Sequence, residues 1–371
     1  MSDSLKLRID RPKVVYLQIR EQLREMILNG QLAPGTKLPS TAKLATKWNT
    51  HPSTVHAALT PLVKEGLLTR QPKIGTFINQ RNTSRLTDVG VYYDSNIWMH
   101  EAQAFKRAVH VELAKLLERE KVNLKVWFDP RSENHRKKPW ADLITAADRR
   151  DIQALIASDV PSELVAWMQQ LPIPTAYFTY AAVPNKVALD FNQFAESSIA
   201  LLRKQGCRSA GAITILESTG SATERSDFAN LFSNACRLQG LTVRDDWIRM
   251  AHGFVPDESQ QNFGYGEFCK LWDRTEKPDG LVVFPDTSVP GVVTAILERR
   301  VAVPTDLKLV LHKHAEINFL CPVPASYLYS STKQIAAALF SQIQRQFAGD
   351  VCVPINLPFQ TKPPHTRPVR K

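Results

Sequence analysis

The stretch GQLAPGTKLPSTAKLATKWNTHPSTVHAALTPLVKEG, residues 30–66, decides the fold of the first part of the chain. Turn-forming residues at 32–35 are followed by Ser40, whose hydroxyl is a good cap for a short helix. Pro52 suits the first turn of a second short helix, and Gly66 ends it. Two short helices joined by a tight turn predict helix-turn-helix geometry.

The flanking residues complete a small domain around these two helices. Residues 14–29 place apolar side chains at helical spacing and predict a preceding helix. Residues 67–71 and 76–78 are strand-like, and the turn residues 72–75 between them predict a hairpin. Three helices followed by a hairpin predict a winged helix-turn-helix, an α domain with a small β hairpin.

Positive charge is concentrated in the same part of the chain. The chain has 371 residues and a net charge of +11, of which residues 1–87 carry 14 Lys and Arg against 5 Asp and Glu, or +9. A compact basic segment joined to a nearly neutral body is typical of a module that binds a polyanion through phosphate contacts. The alternative is a solvated basic face without a partner.

Residues 14–79 resemble the GntR-type winged-helix domain in a nearly continuous series of motifs. These are Tyr16-x-Gln18-Ile19, Gly30-x-Leu32-x-Pro34-Gly35-x-x-Leu38-Pro39-Ser40, Leu44-Ala45, Ser53-Thr54-Val55, Ala58-Leu59, Glu65-Gly66-Leu67-Leu68 and Gly75-Thr76-Phe77-Ile78. The resemblance implies a transcription regulator that binds a nearly palindromic double-stranded DNA operator as a homodimer. Its third helix would enter the major groove, and the tip of the hairpin would reach the minor groove or the backbone.

The chain departs from the family at positions that read DNA. Ala42, Pro52 and His56 stand where members of the family often carry arginine, the usual bidentate reader of guanine, so we expect a different operator. Ser40 has an alternative role as a helix cap, Thr54 is partly structural in another interpretation, and His51 and His56 are bystanders in another. The residues expected to face DNA are Ser40, Lys43, His51, Ser53, Thr54, His56, Lys73 and Gly75.

The second part of the chain alternates strand-like and helix-like segments. Strands are predicted at 89–93, 124–128, 154–157, 175–179, 210–216, 280–284 and 307–311, with helices between most of them. This alternation predicts an α/β domain, a parallel sheet covered by helices that divides into two lobes. The predicted organisation is a DNA-binding domain at 1–79, a linker at 80–87, an effector-binding domain at 88–360 and a basic, Pro-rich tail at 361–371.

This second domain resembles the sensor of the lactose/galactose repressor family, which has the periplasmic-binding-protein-like fold. The resemblance rests on Asp190, Arg225, Pro278-Asp279-Gly280, Asp286 and Val303-Pro304-x-Asp306. It implies that a small effector, a sugar or a sugar derivative, binds between the lobes at the carboxyl ends of the strands. Lys313 stands where the family has a sugar-binding aspartate, which points to an anionic ligand or a remodelled site. The effector-binding candidates are Tyr93, Asp94, Arg225, Asp286 and Lys313.

Other chemistries have weaker support in the sequence. His312 and His314 alternate onto one strand face, but no third ligand is evident from the sequence, so we expect no metal site and no cofactor. Five dispersed cysteines, a charged N-terminus and the lack of a long apolar run favour a cytoplasmic protein over a secreted or membrane protein. We expect a regulator and not an enzyme. The alternatives are an aminotransferase-like regulator with lysine-bound pyridoxal phosphate and a transport binding protein.

Overall fold

In the computed structural model the chain divides into two compact units, with the main boundary after residue 85. The structure describes residues 7, 14–28, 31–33, 35–64, 67–72, 74–78, 86–99, 103–158, 160, 162–215, 222–251 and 257–362. Most of the predicted linker, most of the predicted tail and Lys73 therefore lie outside the described residues. Within those described ranges, no helix has both the length and the apolar character needed to cross a membrane.

The first unit is the predicted winged helix-turn-helix. Its apolar side chains, among them Ile19, Leu44 and Val55, recur at helical spacing and form one buried cluster. Ser40 caps the second helix by accepting a hydrogen bond from the backbone N–H of Lys43 at 3.3 Å. The elements are α1 (Val15–Leu28), α2 (Thr41–Lys47), α3 (Pro52–Lys64), β1 (Leu68–Gln71) and β2 (Gly75–Ile78).

The second unit alternates strands and helices, as predicted. In chain order its elements are β3 (Asp88–Tyr93), α4 (Ala104–Arg119), β4 (Asn123–Phe128), α5 (Glu133–Arg136), α6 (Ala141–Asp148), β5 (Ala154–Ser158), α7 (Ser162–Met168), β6 (Thr175–Phe178), β7 (Lys186–Leu189), α8 (Phe191–Lys204), β8 (Ala210–Thr214), α9 (Ala222–Leu238), β9 (Ile248–Met250), α10 (Asp257–Trp272), β10 (Gly280–Phe284), α11 (Val289–Glu298), β11 (Lys308–His314), β12 (Ser326–Ser330), α12 (Thr332–Phe347) and β13 (Ile355–Leu357).

Two parallel sheets form the two lobes of this unit. The first lobe has the strand order β13-β7-β6-β5-β3-β4, and the second has the order β12-β11-β10-β8-β9. Strands β5, β8 and β10 are buried along their whole length, as expected for strands covered by helices on both faces. One hydrophobic cluster contains residues of both sheets together with α8 and α12, so the lobes share a core.

The chain passes between the lobes at three neighbouring places. It leaves the first lobe between β7 and α8, returns between β12 and α12, and passes back after β13. The backbone N–H of Asp190 donates to Leu357 O at 3.0 Å, and the Gln193 side chain makes two hydrogen bonds to the Phe359 backbone. Tyr329 and Gln360 exchange two backbone hydrogen bonds of 2.8 Å. Hydrogen bonds therefore link the crossing segments into one connection.

Helices α10 and α11 cross at two glycines. A Cβ on Gly291 would lie 1.8 Å from Gln261 O, and a Cβ on Gly264 would lie 2.3 Å from Ser288 O. Only glycine allows the backbones to approach this closely. The close crossing holds α11 against α10. Helix α11 follows β10 and the loop that carries Asp286.

Candidate DNA interface and ligand site

The residues predicted to face DNA in the described part of the chain lie on or beside α2, α3 and the hairpin. Ser40, Lys43 and Ser53 are exposed, while Thr54 is half-buried at the start of α3. The buried positions of α3 face the core of the unit, so its polar side is turned outward; these positions are Val55, Ala58, Leu59 and Leu62. This arrangement leaves a polar helix face available for a groove.

His51 caps the start of α3. Its Nδ1 accepts hydrogen bonds from the Ser53 hydroxyl at 2.8 Å and from the Ser53 backbone N–H at 3.4 Å. Because Nδ1 is an acceptor here, the ring proton of the neutral side chain is on Nε2. His51 thus combines a structural role with an outward-facing donor.

His56 is held by an arginine from the hairpin. Arg70 on β1 donates to His56 Nε2 at 3.0 Å and to His56 O at 3.5 Å, and Nδ1 lies 3.5 Å from the Thr60 hydroxyl. Both ring nitrogens of His56 therefore have intramolecular partners. The arrangement brings a guanidinium to a helix that has no arginine in its sequence.

The hairpin approaches the loop before α2 very closely at Gly75. Gly75 has φ +145°, and a Cβ there would lie 2.7 Å from Lys37 Cε. Lys37 forms a backbone bridge with Phe77, and its ammonium lies 5.9 Å from the Phe77 ring centroid. Glycine at this position thus places the exposed Lys37 beside the predicted hairpin tip.

In the second unit, a buried polar cluster lies where β10 and β11 end. Asp286 follows β10, and its Oδ2 accepts from His314 Nδ1 at 2.8 Å and from the His314 backbone N–H at 3.1 Å. The Asp286 N–H donates to His312 Nδ1 at 3.2 Å, and His312 Nε2 donates to the Ser330 hydroxyl at 2.8 Å. Asp286 is 4% exposed and His312 is fully buried.

The electrostatics of this cluster follow from its burial. Burial by itself raises the pKa of Asp286, but the charge and hydrogen bond of His314 outweigh it, and the pKa lies well below its ordinary value. Burial lowers the pKa of His312 to about 3. The cluster therefore contains a carboxylate and a neutral imidazole at neutral pH.

Aromatic rings surround the cluster and connect the lobes. The ring centroid of Phe105, on α4 of the first lobe, lies 4.7 Å from that of His314. The ring centroid of Phe284 lies 4.6 Å from that of His312 and 5.0 Å from that of Phe191. The polar groups thus lie in an apolar surrounding in which hydrogen bonds to a ligand are stronger than in water.

Two other predicted effector residues lie at the end of β3. Tyr93 is fully buried, and its hydroxyl lies 3.2 Å from His110 Nδ1 on α4. Burial raises the pKa of Tyr93 above its ordinary value. Asp94 is half-buried and forms an ion pair of 3.0 Å with Lys106. The structure therefore places Tyr93 in the core and Asp94 at the surface of the same strand end.

Of the remaining two candidates, only Lys313 has a described side chain, and it does not lie at the buried cluster. Lys313 lies between His312 and His314 on β11, so its side chain leaves the opposite face of the sheet. Its ammonium lies 5.2 Å from the Phe319 ring centroid and 5.8 Å from that of Tyr327. Arg225 falls in the first turns of α9, but its side chain is outside the described residues.

Comparison with known proteins agrees with the architecture of both units. Residues 15–78 match the model for bacterial regulatory proteins of the gntR family, and residues 199–356 match a periplasmic binding protein-like domain. This chain joins a GntR-type winged helix to a periplasmic-binding-protein-like domain. The resemblances inferred from the motifs are therefore confirmed for both units.

Individual relatives cover only parts of the chain. The HTH-type transcriptional repressor NagR of Bacillus subtilis (strain 168) is 44% identical over 69 residues, 19% of this chain and 28% of NagR. The chain thus spans well under two thirds of the length of this curated relative. A LacI family transcription regulator from Clostridium acetobutylicum has 18% identity and a TM-score of 0.57, covering 74% of this chain and 98% of that one.

A further solved structure is a periplasmic binding protein/LacI transcriptional regulator from Alkaliphilus metalliredigens QYMF, complexed with D-xylulofuranose. It has 15% identity and a TM-score of 0.54, covering 74% of this chain and 96% of that one. At these identities the likeness establishes the fold of the periplasmic-binding-protein-like domain. The comparisons give no support to the aminotransferase-like alternative.

The sequence interpretation assigned no role to Arg70 or Lys37 and did not connect Asp286 with His312 and His314. Arg70 and Lys37 lie beside predicted DNA-facing residues, but only the folded GntR-type domain shows these contacts. Asp286 supplies the third polar group that His312 and His314 lacked in the sequence. The order of the strands in the sheet is the signal that could have identified this partner, because neighbouring parallel strands bring their carboxyl ends to the same edge.

Proposed function

We propose that this protein is a DNA-binding transcriptional repressor that responds to a small carbohydrate or carbohydrate derivative and acts as a cytoplasmic homodimer. The observation that carries the proposal is the exposed polar face of α2 and α3 on a GntR-type domain that lies within residues 1–87, a segment with a net charge of +9. A basic groove-sized helix face fits the phosphates and base edges of duplex DNA.

We assign DNA binding to residues 1–79, the linker to 80–87, effector binding to 88–360 and a basic tail to 361–371. The proposed DNA contacts are Ser40, Lys43, His51, Ser53, Thr54, His56, Lys73 and Gly75. The exposed positions among them support a phosphate or base contact; these are Ser40, Lys43, His51, Ser53 and His56. Lys37 and Arg70 extend this set because they lie beside Gly75 and His56.

Selection from random duplex DNA, followed by anisotropy titrations of the recovered operator, tests the DNA-binding part. We expect saturable binding, with a logarithm of the binding constant that falls linearly with the logarithm of the salt concentration. Lys43→Ala should reduce the magnitude of that slope by about one, the contribution of one phosphate contact. Lys115→Ala, which removes an exposed lysine on α4, is the matched control and should leave the slope unchanged. The absence of any saturable, salt-sensitive complex would refute DNA binding.

For the effector we propose a site at the strand ends that contains Asp286, with Tyr93, Asp94 and Arg225 as further candidates. The buried Asp286 carboxylate is suited to accept hydrogen bonds from ligand hydroxyls. Calorimetry with a panel of pentoses, hexoses and their phosphates tests this assignment. Asp286→Asn should weaken binding about tenfold or more, whereas Asp142→Asn at an exposed site on α6 should not.

The two sites should also influence each other. A bound effector would shift the population between open and closed lobes, and the operator affinity would change by the same factor as the effector affinity. Titrations of effector with and without operator measure this factor. We further propose that the chain regulates without catalysing a reaction, since both of its units resemble those of regulators.

A further inference from the structure

We propose that Asp286, His312 and His314 form a binding site for a divalent late transition metal, with Zn²⁺ as the physiological type of ion. One ligand atom from each residue lies within 4.8 Å of the other two, and all three residues are buried. Two imidazoles and one carboxylate form a donor set that such ions prefer. The proposal concerns the second unit alone and does not depend on DNA binding.

The distances fit an ion after a small adjustment. Zn–N and Zn–O bonds of about 2.0–2.2 Å place neighbouring ligand atoms of a tetrahedron roughly 3.4 Å apart. His314 Nδ1 is 2.8 Å from Asp286 Oδ2, and His312 Nδ1 is 3.9 Å from Asp286 Oδ1. One separation is shorter and the other longer than the tetrahedral value. Each of these two separations differs from the tetrahedral value by roughly 0.6 Å or less, and the ligand atoms of all three residues lie within 4.8 Å of one another.

A ring nitrogen of each histidine already faces the cluster. His312 Nδ1 accepts a hydrogen bond from the Asp286 backbone N–H, so its lone pair points toward the cluster. His314 Nδ1 lies 2.8 Å from Asp286 Oδ2, and an ion held by both residues would replace this hydrogen bond. The ion would likewise replace the backbone hydrogen bond to His312.

The surroundings resemble those of an orienting outer shell. His312 uses its other ring nitrogen to donate to the Ser330 hydroxyl, which fixes both the tautomer and the ring plane. The Phe284 ring lies 4.6 Å from His312, and the Phe105 ring lies 4.7 Å from His314. Three protein ligands leave a fourth position for water or for an oxygen atom of the effector.

The position of the cluster gives the ion a structural consequence. Phe105 belongs to the first lobe, while all three proposed ligands belong to the second. An ion that fixes the His314 ring also fixes the surface on which Phe105 packs. Metal binding would therefore stabilise the arrangement of the two lobes seen here.

Cobalt absorption spectroscopy on the full chain tests the site. The protein is stripped with a chelator, returned to chelator-free buffer and titrated with Co²⁺ alone. We expect one ion per chain, visible bands of four- or five-coordinate cobalt, and loss of those bands when Zn²⁺ is added. Asp286→Asn should weaken Co²⁺ binding at least about tenfold, whereas His135→Gln on the exposed helix α5 should leave it unchanged.

A second variant separates ligation from a merely structural role. His314→Cys keeps a ligand at the site and should add a near-ultraviolet thiolate-to-cobalt absorption band that the unaltered protein lacks. Thermal unfolding in the absence of metal identifies any variant that has failed to fold. A folded protein that binds no Co²⁺ would overturn the proposal, as would equal affinity in Asp286→Asn or a His314→Cys spectrum without the new band. Because no DNA is present, these outcomes are independent of the proposed repressor function.

Discussion

At the scale of single residues, Arg70 supplies what α3 lacks. Arginine is the commonest bidentate reader of guanine, and the sequence of α3 contains none. The guanidinium of Arg70 instead reaches α3 from β1 and contacts His56. The sequence showed that arginines common in the family are absent here. It gave no indication that Arg70, a strand residue 14 positions after His56, lies beside the same helix.

The predicted effect of Arg70 is a loss of operator recognition. Arg70→Ala should weaken operator binding about tenfold or more, because a bidentate contact contributes about 1–3 kcal/mol of discrimination. Arg70→Lys should keep general DNA affinity but lose discrimination between operator and random DNA, since an ammonium lacks the planar fork. Competition anisotropy measures both quantities. Arg203→Ala on the exposed side of α8 is the control, and an Arg70→Ala protein with normal discrimination would contradict the prediction.

Asp129 gives a second prediction at this scale, about acid stability. Its buried carboxylate accepts from the Tyr92 hydroxyl at 2.7 Å and from Arg131 at 2.8 Å. Burial alone would raise the pKa of Asp129, but the hydrogen bonds from Arg131 and Tyr92 outweigh this effect and lower it. The folded form therefore favours the ionised carboxylate, and its stabilisation is complete above the unfolded pKa of about 4 and is lost as pH falls further.

Asp129→Asn should accordingly lower the free energy of unfolding at pH 7 by about 2 kcal/mol. The variant should also lose less stability than the unaltered protein as pH falls below about 4, the ordinary pKa of an aspartate in the unfolded chain. Urea unfolding at a series of pH values measures both effects. An acid limb as steep as that of the unaltered protein would show that Asp129 does not titrate as described.

At the scale of elements, the winged helix was predictable because its signals are local. Pro52 opens α3 and the hairpin has turn residues at its centre, so each element begins close to its predicted place. Helix α10 was not predicted. Its Gly264 and Gly266 lower helix propensity, and the reason for Gly264 is the tight crossing with α11, which depends on residues far along the chain.

This crossing yields a prediction with a control in the same pair of helices. Gly291→Ala should destabilise the second unit by about 2 kcal/mol or more, because the added methyl would overlap with Gln261 O. Gly266→Ala has open space at its Cβ and should be neutral or stabilising by up to about 1 kcal/mol. Urea unfolding compares the two. Equal stability of both variants would mean that α10 and α11 do not approach as closely as described.

The polar cluster shows the same limit on sequence interpretation. The alternation of His312 and His314 was visible in the sequence, but their partner Asp286 follows a different strand, β10, and only the strand order brings the three residues together. Lys313 shows the converse. Its position in the motif suggested a ligand contact, whereas strand alternation directs its side chain to the opposite face.

At the scale of the whole molecule, the shared core predicts how the second unit unfolds. Residues of both sheets belong to one hydrophobic cluster, so the two lobes should not unfold separately. A fragment of residues 86–371 should therefore show a single cooperative transition and keep the effector affinity of the full chain without DNA. Calorimetry of the fragment tests this. Two resolved transitions would indicate that the lobes are independent.

The three crossings between the lobes restrict how this unit moves. Hydrogen bonds join the segments at Asp190, Leu357 and Phe359, and others join Tyr329 to Gln360. Segments tied together in this way favour rotation about a single axis and resist sliding. The direction of the movement is thus separate from the chemistry at the strand ends. Substitutions there are therefore expected to change which compound is recognised without changing the axis about which the lobes rotate.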